Sequence, residues 1–239
     1  MTIEVLYPEL CQLFGDSANV RYLRQCLPGA QFVFTDNRSE PLFVRQKVDL
    51  LYIGSMSEPA QMLAVSRLRP YIPQLRALID DGVAVLVTGN AIELFGQAIE
   101  DVSGSHEEML GMYRFITRRD MEHRHNSMFL GSFENMTIVG CKSQFSFLYG
   151  EFPGEFIRVT GGFGNHPASP LEGFRERNLF ATYLLGPLLV LNPPFTRYLL
   201  RRIGADGSLA FEKEVMEAYS FRTEQLQQAG VTFKLPYHH

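Results

Sequence analysis

The chain of 239 residues is short of cysteine, of net charge and of long apolar runs. Its three cysteines, Cys11, Cys26 and Cys141, are widely spaced and form no CxxC pair, which argues against both a disulfide framework and a thiolate zinc site. A net charge of -4 leaves no electrostatic footprint for nucleic acid or for an anionic membrane. No uncharged stretch reaches the roughly 18 apolar residues of a spanning helix, and the opening MTIEVLYPELCQLFGD lacks the basic start and apolar run of a secretory signal. The expectation is a cytoplasmic protein with reduced thiols, no nucleic-acid partner and no membrane insertion. The terminal pair His238-His239 is given no function.

What is present reads as a folded α/β chain, 46% hydrophobic and 20% charged, organised as a single domain over 1–239. Ile3 to Tyr7 is a strand closed by Pro8, and Asp16-Ser17 offers N-cap chemistry for a helix to about Leu27. Gln31 to Thr35 and Val48 to Ile53 are further strands, the second ending at Gly54-Ser55. From Glu58 to Asp81 apolar residues recur at helical spacing, with Pro70 and Pro73 dividing the run. Val83 to Val87 has the continuous apolar character of a central strand. This alternation predicts a doubly wound, mostly parallel sheet with helices on both faces. Later segments (Met112 to Thr117, Ser127 to Phe133, Met136 to Cys141, Phe156 to Gly161) predict antiparallel strands extending that sheet. Asn178 to Leu185 is one more strand, followed by Gly186-Pro187 and a short helix near Pro194 to Arg202. A terminal helix over about 208–229 carries Phe211, Val215, Ala218, Tyr219 and Leu226 on one face.

The central strand runs into Thr88-Gly89-Asn90 and a helix predicted from about Ala91. That is the rhythm of a nucleophile elbow, with a tip residue, Gly89, that has no side chain. Five segments carry a wider resemblance: LYPELCQLFGDSANVRYL (6–23), DLLYIGSMSEPAQ (49–61), VLVTGNAIELFG (85–96), MTIVG (136–140) and NLFATYLLGPLLVLNPPFTRYLL (178–200). In this order they resemble class I glutamine amidotransferases of the cobyric-acid-synthase type, and within them the branch of glutaminase subunits of lipid II isoglutaminyl synthases. The resemblance spans about residues 3 to 203. It implies a flavodoxin-like fold and a subunit that passes ammonia to a Mur-ligase-like synthetase in peptidoglycan-precursor amidation. No cofactor or metal is expected.

The family's elbow cysteine falls on Gly89 and its late histidine on Leu185. Glutaminase chemistry needs a thiolate to attack the carboxamide and an imidazole to manage protons, and neither group is offered here. The glycine-rich turn that helps to stabilise an oxyanion is Gly54-Ser55-Met56, and an Asn-His pair is replaced by Ser143-Gln144. The resemblance therefore implies a degenerate amidotransferase with a vestigial pocket comprising Gly54, Ser55, Met56, Thr88, Asn90, Glu93, Arg124 and Gln144. A tip glycine would also relieve the backbone strain of an elbow.

Two alternatives stay open: an active enzyme with a displaced nucleophile, Cys141 being the first suspect, and a pocket binding glutamine or a related small amino acid. Thr88 reads as a strand-end or N-cap residue rather than a nucleophile. Glu93 reads as a first-turn helix residue favoured by the macrodipole. The run Arg118 to His125 reads as a solvated loop rather than a His123/His125 metal site or an anion site built from its arginines, although the resemblance places an arginine that contacts the glutamine substrate near Arg124. Gly161 to Asn165 reads as a turn rather than a phosphate cradle, since it lacks the Lys-Ser/Thr of a P-loop.

Overall fold

A computed structural model describes residues 1–231; His238 and His239 lie outside the described residues. The chain begins with β1 (Thr2–Leu6), α1 (Ser17–Cys26), β2 (Gln31–Thr35) and β3 (Leu50–Ile53). The predicted long helix is divided at its prolines into α2 (Glu58–Leu68), a 3-10 turn at Arg69–Tyr71, and α3 (Ile72–Asp80). β4 (Ala84–Thr88) follows, with all five residues buried.

In place of an α-helix after the elbow there is a 3-10 segment, Gly89–Phe95. Ala91, Ile92, Leu94 and Phe95 are all buried, so this stretch is enclosed on every side rather than amphipathic, and the chain is already back in a strand at Ala98. A 3-10 helix rises about 2.0 Å per residue against about 1.5 Å for an α-helix, so this short segment spans more distance than an α-helix of the same length would.

The middle of the chain supplies β5 (Ala98–Asp101), β6 (His106–Glu108), β7 (Phe115–Arg119), β8 (His125–Phe133), β9 (Met136–Gln144), β10 (Ser146–Gly150), β11 (Ile157–Gly161) and β12 (Leu171–Glu172). They do not extend the main sheet. They form two separate four-stranded sheets, in the orders β10-β7-β5-β6 and β12-β11-β8-β9. The nine-residue strands β8 and β9 are joined by a two-residue turn at Glu134-Asn135 and pair antiparallel from His125↔Gln144 to Phe133↔Met136, so their hydrogen bonds are satisfied locally. The predicted solvated loop at Arg118 to His125 is correspondingly the end of β7, a turn, and the start of β8.

Two further strands, β13 (Phe174–Glu176) and β14 (Leu179–Thr182), complete the main sheet, whose order is β13-β14-β4-β3-β1-β2. All its pairings are parallel except β13 with β14. Alternate residues of its central strands feed two cores. Leu51, Ile53, Val85 and Val87 pack on the side of α2 and α3, and Leu50, Tyr52, Ala84 and Leu86 on the side of α1. The latter side also holds α4 (Leu188–Leu191), α5 (Pro193–Arg202) and Val215 of α6 (Glu212–Ala229). This is the flavodoxin-type α/β architecture expected. Phe211 and Ala218 depart from expectation: Phe211 is 62% exposed and Ala218 also faces solvent, leaving Val215 and Leu226 as the buried residues of α6.

The Gly161 to Asn165 stretch is fastened into the fold. Asn165 Nδ2 donates to the Gly173 carbonyl at 3.2 Å, Gly173 N donates back to Asn165 Oδ1 at 2.7 Å, and the Gly164 carbonyl accepts from the buried Lys142 Nζ at 2.9 Å.

Candidate functional site

The carboxyl ends of β3, β4 and β14 lie side by side, where open α/β sheets present their ligand loops. Gly89 stands at the tip of the elbow with φ +61°. A Cβ at this position would overlap the Ser55 Cβ and lie 2.8 Å from its Oγ and 3.3 Å from its Cα. Glycine is thus required twice, by the left-handed backbone and by the Ser55 side chain that fills the space ahead of it.

Ser55 is held in place by Asp16. Both Ser55 N and Ser55 Oγ donate to Asp16 Oδ2, the hydroxyl at 2.7 Å, and Thr88 Oγ1 donates to the same oxygen at 3.0 Å. Asn19 Nδ2 reaches Oδ1 at 3.2 Å, and the Tyr52 hydroxyl meets Thr88 Oγ1 at 2.9 Å. The expected N-cap role of Asp16 gives way here: its side chain makes no cap bond to α1 and turns to the elbow instead. Thr88 likewise makes no cap bond; its hydroxyl belongs to this cluster. The Ser55 amide, a candidate oxyanion donor, already serves a carboxylate of its own chain.

Asp16 is fully buried, and no cation pairs with it among the described residues. Burial pushes its carboxyl up, against the pull of the Ser55, Thr88 and Tyr52 donors. For a carboxyl raised in the folded state, the unfolded chain ionises first as pH rises. Stability is therefore full below the ordinary aspartate range, about 4, and declines as pH climbs from there through the raised value. Denaturant melts at stepped pH should show the stability of the native protein relative to Asp16→Asn shrinking over that window. A constant difference from pH about 4 to neutrality would refute the linkage.

Beside the elbow opens a cleft of about 270 Å³. Leu13 and Phe14 form one wall, and Met121, Arg124 and Phe145 another part of its lining. Of the residues predicted from sequence, Met56, Asn90, Glu93, Arg124, Gln144 and Leu185 line it; Gly54, Ser55, Thr88 and Gly89 do not. The elbow tip and the cleft are separate places. Asn90 fastens the two loops between them, its Oδ1 accepting from Met56 N at 3.0 Å and its Nδ2 donating to the Met56 carbonyl at 2.7 Å.

Glu93 forms part of the cleft's floor, and its role differs from expectation. With no α-helix after the elbow there is no helix dipole for it to complement. Its carboxylate is fully buried and ion-paired with Arg119 Nη2 at 2.7 Å. Gln61 Nε2 donates to the same oxygen at 2.8 Å, while Ser146 Oγ and the Tyr183 hydroxyl, the latter at 2.6 Å, donate to the other. Burial, then Glu93, pushes the Tyr183 phenol well up, which keeps it a hydrogen donor. The sequence reading places Asp16 at a helix cap and Arg119 in a solvated loop, and gives no role to Gln61, Ser146 or Tyr183. Arg119 alone left a signal: in FITRR it shares alternation with the buried Phe115 and Thr117, which marks it as inward facing.

The remaining candidates fall as follows. Arg124 is exposed at the mouth, 4.1 Å over the Phe145 ring, and donates to Ser143 Oγ at 3.1 Å. The Leu185 amide donates to the Cys141 carbonyl at 3.1 Å, so these two positions adjoin. The Cys141 side chain does not line the cleft, and burial raises its thiol pKa, which suppresses the thiolate. His123 Nδ1 lies 2.7 Å from Asp120 Oδ2, and no group of three potential metal ligands occurs among the described residues. No described helix is long and apolar enough to cross a membrane.

No protein-family model matches the chain. Over 230 residues, 95% of this chain and 94% of the relative, it is 28% identical to the GatD subunit of the glutamine-hydrolysing lipid II isoglutaminyl synthase of Staphylococcus aureus (strain N315). Its fold is similar to a crystal structure of a glutamine amidotransferase, with TM-score 0.54 and 14% identity over 85% of this chain and 99% of that one. A glutamine amidotransferase from Thermotoga maritima superposes with TM-score 0.48 and 9% identity, over 95% of this chain and 85% of the other.

Proposed function

We propose, starting from a chain that is glutamine amidotransferase-like in sequence and in fold, that this protein has lost glutaminase chemistry. In this reading it acts as a partner or regulatory subunit of a Mur-ligase-like amidating synthetase in cell-wall precursor modification. The observation that carries the proposal is the elbow. Its tip is Gly89, and the space ahead of that glycine holds the Ser55 side chain, fixed by Asp16. Leu185, at the histidine's place, offers no proton acceptor. The partner assignment draws on the staphylococcal relative, whose own name makes it one subunit of a glutamine-hydrolysing synthase. A synthetase served by such a subunit would draw ammonia from solution and depend on this chain for stability or for control of its activity.

Two measurements test the proposal. Intact-mass spectrometry after incubation with an electrophilic glutamine analogue should show no adduct, beside a fully labelled active glutaminase. A stoichiometric adduct on Cys141, blocked by excess glutamine, would instead establish a displaced nucleophile. Affinity capture from the native host should recover an ATP-dependent ligase, and capture without one would remove the partner role.

A further inference from the structure

We infer that β2 is a self-pairing edge, and that the chain forms a two-fold dimer in which β2 of each copy runs antiparallel to β2 of the other, joining the two main sheets into one. The inference goes beyond the proposed role and does not depend on it. β2 ends the main sheet, and no strand pairs with its outer side among the described residues. The Gln31 amide donates to the Met1 carbonyl at 2.9 Å and the Thr35 carbonyl accepts from Tyr7 N at 2.7 Å, so Gln31, Val33 and Thr35 turn their backbone groups to β1. Strand alternation then aims the N–H and C=O of Phe32 and Phe34 at the open side.

Sheets blunt such edges with charge, brevity or a cover, and the other sheet ends here do so. β13 is three residues long with Arg175 and Glu176 in ion pairs, β6 is His-Glu-Glu, and β12 has two residues. The edge of β10 is met by the Asn165 carbonyl, which takes the Leu148 amide at 2.8 Å, and that of β9 by Leu185 and Asn192. β2 alone is left open, five residues without charge or proline, with Phe34 48% exposed.

The sequence of this edge fits a copy of itself. Phe32-Val33-Phe34 is a palindrome about Val33, so antiparallel pairing on a two-fold axis at Val33 sets Phe32 opposite the second copy's Phe34, and Phe34 opposite the second copy's Phe32. Both are residues whose backbone faces outward, so each pair can exchange both of its hydrogen bonds. Their rings share the α1 face of the sheet. Phe32 packs against the core there, and Phe34 borders an apolar pocket of about 220 Å³ lined by Val5, Cys11, Val20, Arg21 and Tyr52. The second copy's Phe32 meets Phe34 at the rim of that pocket, an aromatic cross-strand contact. Charge agrees with the register. Ala30 falls opposite the second copy's Asp36, which brings a carboxylate toward Arg24, whose guanidinium lies 5.9 Å over the Phe32 ring, and the two-fold axis repeats the match. Antiparallel pairing sends the carboxyl ends of the two sheets in opposite directions, so both clefts stay open to another protein.

Sedimentation equilibrium over about 5–500 µM tests this, because a short edge makes a small interface and a weak dimer. A monomer–dimer equilibrium is expected. Phe34→Lys, which charges the edge, and Phe34→Pro, which removes only an outward N–H, should each raise the dimer dissociation constant by roughly tenfold or more while keeping the circular dichroism of the native protein. Val33→Cys reads the register. On the axis the two Val33 positions form a non-hydrogen-bonded pair with Cα atoms about 4.5 Å apart, within disulfide reach. Diamide should therefore convert this variant to a covalent dimer, and leave both the native protein and Phe221→Cys, on an exposed position of α6, as single chains on a denaturing gel. A monomer throughout the concentration range, a dimer of native strength in both Phe34 variants, or no cross-link through Val33→Cys would each overturn the inference. So would capture of a different protein that is lost in Phe34→Lys while the chain itself stays monomeric, since the edge would then belong to a foreign strand.

Discussion

Replacing Gly89 with cysteine is expected to destabilise the protein by about 2–6 kcal/mol and to yield no trappable thiol. Two costs act together. A non-glycine residue at φ +61° costs about 1–3 kcal/mol, and the new Cβ must displace the Ser55 side chain, an overpacking cost of about 1–3 kcal/mol. Ser55 cannot yield cheaply, because moving it breaks its bonds to Asp16 and disturbs the Thr88 hydroxyl beside it. Removing the obstruction should therefore rescue the substitution. In Gly89→Cys/Ser55→Gly the loss should fall well short of the summed single losses, by about 1 kcal/mol or more in a double-mutant cycle. Additive losses would mean that Ser55 is not the obstacle. The thiol should remain slow with the glutamine analogue even in the double variant, because Leu185 supplies no base and no α-helix follows the elbow to lower its pKa.

The same elbow marks how far the sequence could be read. Strands β3 and β4 were legible because parallel strands covered on both faces are apolar throughout, and Leu50 to Ile53 and Ala84 to Thr88 are buried without exception. The proline-divided helix was legible because Pro70 and Pro73 act locally. The role of Asp16 is hidden for the converse reason. An Asp-Ser pair ahead of a helix is a strong local signal, but the partners that claim its carboxylate, Ser55 and Thr88, lie 39 and 72 residues away. The sequence points Glu93 at a helix dipole because an elbow normally opens an α-helix. Here the segment Gly89–Phe95 is a 3-10 turn, and Glu93 is buried in it with no α-helix dipole to meet. Gln144 could be named from the resemblance, but its unpaired oxygen exists only once Ser146 has fixed the amide.

The second large effect is expected at the floor of the cleft. Arg119→Leu should destabilise the protein by about 3–5 kcal/mol, the usual cost of leaving a buried charge without its partner. Glu93 is wholly enclosed, and its remaining donors, Gln61, Ser146 and Tyr183, are neutral groups that can bond to a carboxylate but cannot neutralise it. Glu93→Gln should cost less. It leaves an oxygen for Ser146 and Tyr183, and the stranded Arg119 is 10% exposed, lines the cleft and keeps its 2.5 Å bond to Gln61 Oε1. Chemical denaturation at neutral pH would read the order. Losses of about 1 kcal/mol or less, the scale of an exposed pair, would show that the pair is solvated. The floor would then be too wet to hold Ser146 rigidly, and the orientation of the Gln144 amide, which depends on the Ser146 carbonyl, would lose its anchor.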